Sequence, residues 1–288
     1  MQQLKDKLNK TADKIANFLA ATQNQNGTFP SRTFYGEAYA AALWSKYDVF
    51  APYIGCVFNR YLNAFPLLKE DADTHWEFIN YGLLVSRGFR FEFDHNNERV
   101  VNWQLLKVLT YLMNGGDVRN PMVRNVCNAI SKIQYFDGLI PDFFTADSRN
   151  TPSHQYHNFS VCLCGELVLR GVSGYDTLFG RGINYIQKIA KPNGDVNYVG
   201  RGKGQLKGYA VAIHALVQHD HLVLADRILD YVLRFEMEDQ PLPLYLSGHE
   251  PSYTQVGTAP EGWEAYNNYF DYLALAGYYF KCAAGLLK

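Results

Sequence analysis

The chain has 288 residues, 48% apolar and 19% charged, enough to bury a substantial core and too apolar for a disordered polymer. Lys and Arg number 27 against 28 Asp and Glu, a net charge of −1 with no basic tract, which excludes the electrostatic footprint of a nucleic-acid binder. No uninterrupted apolar window of about 18 residues exists, so no membrane span is expected.

Residues 1–21 read as a charged amphipathic helix without an apolar signal core, and the five cysteines (Cys56, Cys127, Cys162, Cys164, Cys282) carry no metal-ligand spacing. Free thiols and the lack of a leader in this sequence point to a cytoplasmic setting, with no metal and no cofactor expected. From there on, strand alternation is nearly absent and helical spacing recurs, as in Leu222, Ala225, Ile228, Leu229, Val232 and Leu233. The pattern predicts helices over 5–22, 35–46, 52–65, 74–87, 98–113, 121–133, 155–171, 176–190, 205–218, 221–234 and 261–284.

These helices are of two kinds. Those near 35–44, 157–169, 208–216 and 264–279 are small and aromatic almost all round and should be buried, whereas 5–22, 121–133, 176–190 and 221–234 keep a polar face for solvent. Short connections lead into the second kind and mostly long ones into the first, the layout of one all-α domain over 1–288, an incomplete α/α toroid of five to six helical hairpins. Asn26-Gly27, Asp137-Gly138 and Asn193-Gly194 follow three outer helices and read as a repeat or as ordinary turns. The register breaks once, because 74–87 and 98–113 both read as inner helices with no outer helix between them.

In such a ring the long loops 134–154, 191–204 and 235–260 meet at one mouth, where helix N-termini favour an anionic ligand. The densest polar cluster there is Ser153, His154, Gln155, Tyr156, His157 and Asn158. Tyr156 and His157 are proton donors and acceptors suited to general acid and base work, unless His154 is a solvated turn residue and Ser153 simply a cap. A second cluster runs from Asn197 and Tyr198 through Arg201 to Gln205, its glycines allowing close approach and Arg201 offering a bidentate partner for a carboxylate; a flexible solvated loop reads the same way. A third is Trp263, Glu264 and Asn267, where Trp263 serves equally as a sugar platform or a core anchor. Asp137 and the lone acid Glu37 complete the candidate set, Glu37 needing a cation such as Arg32 or Arg201 if it is buried.

Asp137-Gly138 followed by Ser153-x-x-Tyr156-His157 resembles a stretch of the heparinase II/III-like and alginate-lyase-like polysaccharide lyases. That resemblance implies an incomplete toroid and β-elimination on an acidic, uronate-containing poly- or oligosaccharide, with Tyr156 and His157 as base and acid and Arg201 neutralising charge. The sequence departs from the family at its Asn-Asn-His-type neutralising element, since only His95-Asn96-Asn97 stands nearby, in another order. A glycoside hydrolase using paired carboxylates and a non-catalytic glycan-binding ring are the alternatives, whereas D-D-x-x-D and D-x-D-D terpene-cyclase signatures are absent.

Overall fold

A computed structural model describes residues 1–31, 33–71, 74–92, 99–145, 152–246 and 268–288. Its helices are α1 (Gln2–Thr22), α2 (Gly36–Trp44), α3 (Ala51–Glu70), α4 (Trp76–Arg87), α5 (Val101–Met113), α6 (Pro121–Ile133), α7 (His154–Leu169), α8 (Tyr175–Ile189), α9 (Leu206–Gln218), α10 (Leu222–Leu233) and α11 (Tyr269–Leu286), and no strand occurs among the described residues. All eleven fall where helical spacing places them. Of the helix expected from 261, the part before 268 lies outside the described residues.

Composition decides position in the fold. Every residue of α2 and everything from Leu206 to Val217 of α9 is buried, and α7 is buried from His154 to Leu167, because these helices carry small and aromatic side chains on every face. In contrast, α6 buries only Val123, Val126, Cys127 and Ile130, one stripe at helical spacing. The buried helices close a ring in the order α2, α4, α5, α7, α9, α11 and back to α2. Outside it, α1 packs on α11 and α2, α3 on α2, α6 on α5, α8 on α7 and α10 on α9. The result, among the described residues, is an α/α toroid with six inner helices and five outer ones.

Between α4 and α5 the outer helix is replaced by a return segment. Twelve helical residues rise ~18 Å, a span that about six extended residues cover. Residues 88–92 run back along α4, and the Asn80 amide fixes them by donating to the Phe91 carbonyl at 3.2 Å and accepting the Phe91 N–H at 2.8 Å. Phe91 then stacks on Phe65 at 4.4 Å and meets Trp76 edge-on, filling the gap an outer helix would have occupied.

The three Asn-Gly and Asp-Gly turns are one repeated structure. In each, the side chain of Asn26, Asp137 or Asn193 accepts the N–H two residues on, and the glycine has positive φ (83°, 102° and 97°). A Cβ on Gly27, Gly138 or Gly194 would lie 2.5, 2.2 or 2.5 Å from the carbonyl oxygen of Cys56, Arg181 or Arg227, on α3, α8 and α10. Each turn is therefore pressed against the backbone of the next outer helix, which only glycine permits.

Candidate active site at the mouth of the ring

The N-termini of the inner helices gather at one mouth. Asp271, in the first turn of α11, accepts the N–H groups of Phe34 and Tyr35 at the head of α2. Tyr35 stacks on His75 and on Phe78 of α4, His75 lies 5.0 Å from Trp103 of α5, and Phe78 stacks on Phe159 of α7.

The loop 199–205 and the start of α7 are joined, as the ring requires. The His154 N–H donates to the Val199 carbonyl at 3.1 Å, Ser153 Oγ to the Arg201 carbonyl at 2.7 Å, and the Gln155 amide to Gln205 at 3.0 Å. Arg201 is buried and ion-paired with Asp142, while its guanidinium lies 4.3 Å from the Tyr156 ring centroid.

At the centre of this mouth stands a residue that the sequence reading passed over. Lys207, 2% exposed and in the first turn of α9, projects its ammonium among rings from α4, α7 and α11 and the ring of Tyr35 just before α2. Nζ lies 4.4 Å from the centroid of Phe159, 4.9 Å from Phe78, 5.4 Å from Tyr156, 5.8 Å from Tyr272 and 5.9 Å from Tyr35. It has no hydrogen bond or ion pair with any described residue. Burial, and then the nearby Arg201, bring its pKa down to about 7. The signal was present in the sequence: a lysine opening an otherwise apolar helix opposes the helix dipole and so asks for a reason.

The expected site residues divide into two groups. Tyr156 and Arg201 stand beside Lys207. The others serve as its frame. His157 is fully buried, with Nδ1 accepting the Ile140 N–H at 2.9 Å and Nε2 3.3 Å from the Gly182 carbonyl, and burial lowers it to about 3. His154 packs edge-on against Tyr198 and is held down to about 4 by burial. Asn158 donates to the Gly208 carbonyl, Asn197 to the carbonyls of Gly202 and Gln205, and the Gln205 amide to Tyr245. The Tyr198 hydroxyl bonds the Ile189 carbonyl, and Asp137 is the exposed turn residue described above.

Glu37 is buried at the mouth, but its partners are Arg60 at 3.4 Å and Thr33, not Arg201, whose charge Asp142 already takes. The first N–H groups at four inner-helix heads have partners: Asp271 at α2, Ser153 at α7, and the Leu244 and Asp142 carbonyls at α9 and α5. Trp263, Glu264 and Asn267 lie outside the described residues, as does Arg32.

Fold and mouth together define the class, an α/α toroid whose inner-helix N-termini gather around a buried lysine. Among solved structures, a wild-type glycosidase shares this fold over 100% of both chains at 13% identity, TM-score 0.58. An alanine variant of a glycosidase matches at 13% and 0.59, and another, in complex with glucose, at 12% and 0.58, again over 100% of both chains. No family model and no curated protein matches the chain. Among the described residues no helix is long and apolar enough to cross a membrane.

Proposed function

We propose that this chain is a carbohydrate-active enzyme that cleaves an acidic poly- or oligosaccharide at the mouth of its ring by β-elimination. The observation that carries this reading is Tyr156, whose ring lies 4.3 Å from the Arg201 guanidinium and 5.4 Å from the Lys207 amine, in a mouth walled by aromatic faces. Elimination needs positive charge where the uronate carboxylate and its enolate develop, and a phenol between two nitrogen bases or cations is suited to move the proton. In this reading Tyr156 transfers the proton and Arg201 supplies fixed charge, while His154, His157, Asn158, Asn197, Tyr198 and Gln205 position the loop and helix that carry them. The glycosidase names of the fold neighbours are in keeping with a carbohydrate substrate.

Hydrolysis is the second reading, favoured by one pair of groups. Glu37 and Asp271 stand at the heads of adjacent helices, Glu37 paired with Arg60 and Asp271 pushed up to about 7 by burial. Two carboxyl groups in such different environments are what acid and base roles in glycoside cleavage require.

The test is a panel of uronate-containing and neutral glycans followed by ultraviolet absorbance and by reducing-end release. Elimination gives both signals and Tyr156→Phe abolishes them. New reducing ends without absorbance mean hydrolysis, and no cleavage of any glycan overturns both readings.

A further inference from the structure

Among the described residues at the mouth, Lys207 is a buried lysine whose amine meets aromatic rings and no hydrogen-bond acceptor or carboxylate. A charged amine removed from water is stable when hydrogen-bonded to an acceptor or paired with a carboxylate. The described surroundings of Lys207 provide neither: they are five aromatic rings and, beyond Tyr156, the like charge of Arg201. Of the described carboxylates at the mouth, Asp142 is committed to Arg201 and Asn102, Asp271, which also attracts the Lys207 charge, to the backbone of Phe34 and Tyr35, and Glu37 to Arg60 and Thr33. An apolar cage with a cationic neighbour is the environment that turns a lysine into a nucleophile.

We infer that Lys207 is a reactive amine that captures the open-chain carbonyl of a sugar-sized aldehyde or ketone as a Schiff base at the mouth of the ring. The nitrogen lone pair attacks the carbonyl carbon to give a carbinolamine. Loss of the former carbonyl oxygen as water leaves the carbon–nitrogen double bond, and no oxidant or reductant takes part. The cage of rings around the amine slows hydrolysis of the imine by limiting water. Burial and Arg201 bring the Lys207 pKa down to about 7, so the amine has a large neutral fraction at neutral pH, whereas an ordinary lysine is neutral in only about one part in 10³.

The inference rests on the mouth being a ligand site, not on which bond is cleaved there. Its test is reductive trapping: the full chain with D-glyceraldehyde and cyanoborohydride at pH 7, followed by peptide mass mapping over time. Lys207 should be labelled at least ten times faster than the exposed Lys10. Lys207→Arg should lose that one label, keep the surface labelling and retain its circular dichroism spectrum. In denaturant all lysines should label alike. If Lys207 reacts no faster than the surface lysines in the folded chain, or reacts with formaldehyde and not with glyceraldehyde, the inference is overturned. Trapping without cleavage of any glycan would uphold it while removing the function proposed above, and cleavage without trapping would do the reverse.

Discussion

Asp142 and Arg201, 59 residues apart, form an ion pair whose side chains are 2% and 3% exposed, and Asp142 also accepts from Asn102 at 3.0 Å. The pair ties the 199–205 loop to the head of α5. Removing one member strands a buried charge, which costs ~3–5 kcal/mol, whereas removing both costs much less. Arg201→Met should lower the urea unfolding free energy by that amount, and the further change Asp142→Asn should recover at least half. Equal losses in the single and double variants would mean that the two residues act independently.

Asn80 stands in for a missing outer helix by holding both backbone groups of Phe91. Asn80→Ala leaves a buried donor and a buried acceptor unpaired, at a cost of roughly 2–4 kcal/mol. Hydrogen exchange should then rise first in residues 88–92, ahead of α7 and α9; uniform loss of protection would refute the idea that this segment is a local unit.

The turn glycines give a matched comparison. Gly115 has φ of 82° with open space around it, while Gly138 has φ of 102° with the Arg181 carbonyl where a Cβ would stand. Gly115→Ala should cost only the conformational term, ~1 kcal/mol. Gly138→Ala adds displacement of α8 and should cost about 3 kcal/mol or more. Thermal melts of the two variants give the ranking.

His157 is buried as the neutral ring and is lowered to about 3, against 6.5 when exposed. The unfolded chain then binds one proton more between these values, so its contribution to stability is complete above pH 6.5 and is lost as the pH falls toward 3. The slope is at most ~1.4 kcal/mol per pH unit. In His157→Asn the amide oxygen can still accept the Ile140 N–H, and the stability profile between pH 4 and 6.5 should be flatter by about one proton. Parallel profiles for the two chains would show that His157 does not titrate on unfolding.

Helix positions and the two kinds of helix were readable because burial on all faces leaves a composition mark, as in Leu206–Gln218, and a one-sided stripe leaves a periodic one, as in Pro121–Ile133. The meeting of Tyr156 with Arg201 followed from ring closure alone. Partners at long range were not readable: His157 bonds residues 140 and 182, Glu37 finds Arg60 instead of Arg201, and Asp142 occupies Arg201. Lys207 escaped notice for the same reason, since a lysine at a helix start reads as solvated until five rings from distant parts of the chain are seen around it.

The bonds from Phe34 to Asp271 join positions 237 residues apart in the chain, and those between Tyr81 and Tyr278 span 197. Both anchor α11, one at the head of α2 and one across to α4, as it docks between α2 and α9, the step that completes the circle. Until it happens, the apolar flanks of two early-made inner helices stay wet and sticky, and the chain must search a very large loop to cover them. Refolding should therefore be slow and prone to clumping at high concentration, an outcome imposed by circular connectivity rather than by any weak residue.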